Sequence, residues 1–151
     1  MMERRRDDGF SLIELMMVIV IIGILATALI PQFGGVKTSA KITGVETNVR
    51  SVVITISGMP STENIANSLG AIMSSMSNPI TNITGVATSV PLSRTQTQAV
   101  YVYYGPNTTW DDNSYYNGAV IVYSHTDLSA DVFAIDEQGR SIPGLHSRVE
   151  R

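Results

Sequence analysis

The 151-residue chain contains no cysteine, which excludes disulfides and thiolate metal sites. Its two histidines, His125 and His146, fall outside any HxxE or HxxxH spacing, no serine sits in a nucleophile-elbow context, and no glycine-rich phosphate loop joins a strand to a helix. Those absences leave catalysis without support. Charge is sparse as well. Thirteen acids against ten bases give a net charge of −3, and beyond the long helix read below the only bases are Arg94, Arg140, Arg148 and Arg151. No basic footprint for nucleic acid is visible. The most telling absence is local: from Leu12 to Gln32 there is no lysine or arginine, and Glu14 is the only charged residue.

In their place stands an almost unbroken apolar run, Leu15 to Ile30, followed by Pro31. As a helix, Leu12 to Ile30 rises roughly 28 Å, which matches a bilayer core of about 30 Å. Glu14 is out of place there. An ionised carboxylate in hydrocarbon costs at least about 2.5 kcal/mol, so it requires a partner from outside the run. The residues ahead of it, Met1 to Gly9, are short and polar and include Arg4, Arg5 and Arg6. A secretory signal peptide is cut after its apolar region, and no small-residue cleavage site with the usual spacing follows this one. The arginines hold the leader on the cytoplasmic side and place the C-terminus across the membrane. Pro31 removes a backbone hydrogen bond and Gly34 and Gly35 each weaken a helix by about 1 kcal/mol relative to Ala. The stretch from about Ala26 to Gly35 is therefore expected to kink or open locally.

From Val36 the pattern becomes amphipathic. Ile42, Val45, Val49, Val52, Val53 and Ile56 share one face at the helical period, and Glu46 and Arg50 form an i,i+4 pair. Gly58 and Pro60 stop the helix. A second short helix is expected over about 62–77, capped by Ser61 or Thr62, with Ile65, Leu69, Ile72, Met73 and Met76 as its apolar face. Residues 80–97 read as a connecting loop rich in Ser, Thr and Gln, with room for one irregular strand. Strand-like runs follow at 99–104, 119–123 and 131–135, with Gly139 supplying the left-handed residue of a short turn and a brief fourth strand over 140–142. The fold class is α+β: a long N-terminal helix, its first half membrane-spanning and its second half amphipathic, against an antiparallel sheet of three to four strands at about 99–142.

Gly9-Phe10-Ser11-Leu12-Ile13-Glu14-Leu15, with Pro31 beyond, resembles the N-terminus of a bacterial type IV pilin precursor. The resemblance covers about the first 50 residues; beyond them it is architectural. It implies a leader of residues 1–9, a membrane or filament-core helix half over 10–35, and a head over 36–151 that includes the amphipathic half, 36–57. It implies cleavage between Gly9 and Phe10 by a prepilin peptidase, methylation of the Phe10 amine, and pairing of that amine with Glu14, mainly on a neighbouring subunit. It further implies melting near Pro31, Gly34 and Gly35 when subunits leave the membrane. The expected partners are further copies of the chain and the inner-membrane assembly machinery, and the expected end is an extracellular pilus of the kind used in adhesion and twitching motility. Asp7 and Asp8 beside Gly9, and the missing disulfide loop, depart from the family pattern. No cofactor is expected. A calcium site at Asp111-Asp112-Asn113 with Asp127 or Asp131 is weighed by analogy with type II secretion pseudopilins, against plain solvated turns. Two other readings stay open: a pseudopilin of type II secretion or DNA uptake, and a binding module on a simple membrane anchor.

Overall fold

The computed structural model describes residues 9–107, 109–126 and 128–151, apart from the side chains of Phe33 and Thr126. The leader residues 1–8, with Arg4 to Arg6, and Asp127 of the candidate calcium set lie outside the described residues. Helix α1 runs from Leu12 to Gly58 with Pro31 inside it. No break appears at Pro31, Gly34 or Gly35. A proline leaves one carbonyl of the helix without its donor. The run of Leu, Ile and Ala before Pro31 is a strong enough helix former to carry the helix up to that loss, beyond which it continues through Gln32 and the two glycines.

The chain divides into two compact units, Met1–Thr38 and Ser39–Arg151. In the first, every described side chain is exposed, Phe10 and Ile13 by 87% and 74%. In the second, α1 buries Val45, Val49, Val52 and Ile56, the centre of the expected stripe, while Ile42 stays at its exposed margin. Gly44 lets this helix approach the loop below it, because a Cβ there would lie 2.8 Å from Pro79 Cγ. The Glu46–Arg50 pair forms at 2.6 Å.

Helix α2 (Ile65–Ile72) is shorter than the 62–77 expected, and its cap is Asn64, not Ser61 or Thr62. The Asn64 side chain accepts from Asn67 N at 3.2 Å, and Glu63 N closes a turn onto Pro60 O that keeps Ser61 and Thr62 out of the helix. Five strands follow: β1 (Val86–Ala87), β2 (Val100–Tyr104), β3 (Val120–Thr126), β4 (Ser129–Ile135) and β5 (Ser141–Glu150). They form one sheet in sequential order. The α+β class and the helix-on-sheet arrangement are as expected; the strand directions are not all antiparallel. β1–β2 and β2–β3 are parallel, with Val100 opposite Val120, whereas β3–β4 and β4–β5 are antiparallel. The connections 88–99 and 105–119 are each long enough for the crossover that a parallel pair requires. β5 is also far longer than the expected 140–142. Pro143 and Gly144 argue against a strand in sequence, yet at the sheet edge a proline interrupts no neighbour's ladder.

One sheet face carries Val100, Val102, Val120, Val122, Val132 and Ala134 into a core shared with the α1 stripe and with Ile65 and Leu69 of α2. On the other face Tyr101, Ile121, Phe133 and Ile135 are covered by Tyr116 and Ala119 of the crossover. Asn78 fastens the loops. Fully buried, it donates through Nδ2 to Gln98 O (3.1 Å) and Asn117 O (3.0 Å) and accepts at Oδ1 from Ile80 N (2.8 Å) and Thr81 N (3.2 Å). Gly118, at φ +71°, is required beside it, because a Cβ would lie 2.6 Å from Asn78 Oδ1.

Candidate functional site

The start of α1 is built by two side chains acting on each other's backbone. Ser11 N donates to Glu14 Oε2 at 2.9 Å, and Glu14 N approaches Ser11 Oγ at 3.3 Å. This is a capping box, in which a serine and a glutamate three residues on satisfy donors that the first turn cannot. The pattern Ser11-Leu12-Ile13-Glu14 contains the signal, and the sequence reading passed over it. Glu14 therefore has a local role within a single chain as well as any role between chains. Gly9 and Phe10 precede the helix and are exposed, so the peptide bond expected to be cut lies in non-helical, accessible backbone. α1 is long and apolar enough to cross a membrane by length and composition. Its apolar side chains from Leu12 to Ile30 are all exposed among the described residues, and an uncovered apolar surface of this extent calls for lipid or protein around it.

A second cluster lies in the head. Asp131, on β4 and buried to 1%, accepts from His125 Nε2 at Oδ2 (2.5 Å) and from His146 Nε2 at Oδ1 (2.8 Å). Both imidazoles must carry their proton on Nε2 to serve a carboxylate. Burial pushes the Asp131 carboxyl up, but the hydrogen bonds from His125 and His146 and their charges outweigh it, and its pKa lies below the usual carboxylate value. The His146 ring also stacks on Phe133 at 4.4 Å. Sequence spacing gives no sign of this trio, because strand register alone unites it: His146 faces Phe133, two residues from Asp131 on the same face.

Asp131 is thus occupied by imidazoles. Asn113, of the Asp111-Asp112-Asn113 turn, accepts at Oδ1 from Tyr115 N at 3.0 Å. Among the described residues no group of three or more His, Asp or Glu side chains is placed to hold a metal ion. Tyr103 and Tyr116 share a hydroxyl contact of 2.7 Å; burial pushes the Tyr103 phenol well above its usual pKa and raises that of Tyr116.

The N-terminal features fall within a known motif: the family model described as the prokaryotic N-terminal methylation motif matches residues 4–30. The particular relatives are secretion proteins. The chain is 41% identical over 51 residues to the type II secretion system core protein G of Pseudomonas aeruginosa, covering 34% of this chain and 36% of that protein. It is 51% identical over 39 residues to the protein of the same name from Aeromonas hydrophila, covering 26% and 27%. The match spans little more than a third of these relatives at most. No solved structure matches the chain significantly. These findings support the resemblance to pilins and pseudopilins carried by Gly9 to Leu15.

Proposed function

We propose that the chain is the precursor of a structural, non-enzymatic filament subunit of the pilin class. It is held in the inner membrane by the first half of α1, cut between Gly9 and Phe10, methylated on the Phe10 amine, and polymerised with further copies of itself. The observation that carries this reading is Glu14: a carboxylate in the first turn of an exposed apolar helix, bonded to the Ser11 amide one residue from where the new amine would form. In a filament the apolar helix halves cover one another. The amine of Phe10 on one subunit then neutralises Glu14 on the next, and a misplaced subunit leaves a buried charge unpaired at a cost of several kcal/mol. Pro31, Gly34 and Gly35 supply the segment that loosens on packing. Amide exchange in the filament is expected to be faster there than on either side, and equal protection throughout would contradict it.

The first form of this filament is a type IV pilus on the cell surface. A second form, a pseudopilin fibre confined to the envelope, is favoured by the names of the two secretion-system relatives. Intact-mass and N-terminal mass spectrometry on fibres sheared from cells separates them. Chains starting at methylated Phe10 in the sheared fraction support the pilus. Processed chains that stay in the envelope support the pseudopilin. An unprocessed Met1 chain in the membrane overturns both and leaves an anchored binding module.

A further inference from the structure

The crossover between β2 and β3 leaves two clefts on the second face of the sheet. One, of about 390 Å³, is walled by the rings of Tyr103, Trp110, Tyr116 and Tyr123, with Asp111 and Asn113 also lining it. The other, of about 350 Å³, is lined by Phe133, Ser141 and His146, and again by Trp110, so the two meet at the indole. That indole is held in place: Trp110 Nε1 donates to Gly139 O at 2.8 Å, and its ring meets Tyr116 edge-on at 5.0 Å. Gly139 O also accepts from Asn113 N at 3.0 Å. Only glycine serves at 139, where φ is +83° and a Cβ would lie 2.1 Å from Asn113 O. The aromatic wall is therefore pre-formed, as ligand sites commonly are.

The lining narrows the ligand class. Neither cleft is lined by lysine or arginine among the described residues, so an anion would find no counter-charge. Aromatic faces suit the C–H faces of pyranose rings, while a carboxylate and an amide at the rim suit vicinal hydroxyls. Two neighbouring clefts on either side of one shared ring suit a ligand of several linked units better than a small organic cation, which would occupy only one of them. We propose that the joined clefts bind an uncharged oligosaccharide, stacked on Trp110 and the tyrosines and hydrogen-bonded by Asp111 and Asn113. The proposal uses head residues alone and stands independently of filament assembly.

Trp110 is the single tryptophan of the chain, so its fluorescence reports the site directly. The full chain in phosphatidylglycerol vesicles is titrated with cellotetraose, chitotetraose, mannotetraose, their monosaccharides, and choline chloride. At least one tetrasaccharide is expected to give a saturable change, at least about tenfold tighter than its monosaccharide. Asp111→Ala, at an exposed position, is expected to weaken it about tenfold or more with the melting temperature unchanged. No saturation with any of the tetrasaccharides, equal affinity for monomer and tetramer, saturation by choline alone, or full binding by the folded Asp111→Ala chain would each overturn the proposal.

Discussion

Leu12 to Thr38 and Ser39 to Gly58 belong to the same helix, and their surroundings differ completely. The first stretch exposes every described side chain, whereas the second buries Val45, Val49, Val52 and Ile56 against strands and α2. Apolar content alone therefore does not tell core from interface. The second stretch alternates its apolar residues with Lys41, Glu46 and Arg50 at the helical period, so one face suffices to bury them. The first is apolar all round, and no single protein face can cover such a helix. Its environment has to surround it; in the proposed function that environment is first lipid and then neighbouring subunits.

The contrast is broken most strongly by truncating one isoleucine in each stretch. Ile56→Ala is expected to cost about 2–5 kcal/mol of head stability in thermal or denaturant melts of the membrane-embedded chain. Ile22→Ala, an equal loss of side chain on the exposed stretch, is expected to leave that transition unchanged. Next comes Asp131→Asn, which removes a charged acceptor from two imidazoles and is expected to cost about 1.5–3 kcal/mol at pH 7. Because the folded pKa of Asp131 lies below its unfolded value of about 3.9, its contribution is complete above that value and fades as pH falls through the lowered one. Stability against pH in the two chains should therefore converge in acid. Asn78→Ala, which strands backbone groups at 80, 81, 98 and 117, is expected to cost about 1–3 kcal/mol for each group left without a partner water. Relaxation and water entry at the loop surface should hold the total near the lower end, and faster amide exchange at Ile80 and Thr81 would report the loosened knot. The smallest effect is that of Arg50→Ala. Its pair with Glu46 is solvent-exposed, and melting should register no more than about 0.5 kcal/mol.

Much of this was legible in the chain. The Val45–Ile56 stripe, the Glu46–Arg50 pair, the cores of β2, β3 and β4, and the left-handed Gly139 all follow from local pattern. What escaped depends on residues far apart. Parallel pairing of β2 with β3 is decided by the path of 105–119, β5 by an edge position that tolerates Pro143, and the His125–Asp131–His146 trio by register. The capping box is a different kind of omission. Ser11 and Glu14 stand three residues apart at the helix start, so the box is written in the sequence beside the charge that draws the eye to Glu14.

The central claim is that Glu14 acts between chains while the head folds without it. Its most direct test is filament yield from Glu14→Ala cells, read beside the melting of the same chain. The account predicts loss or severe reduction of filaments with processing at Gly9-Phe10 intact and the head transition unmoved. Filaments at the unmodified chain's yield would contradict it.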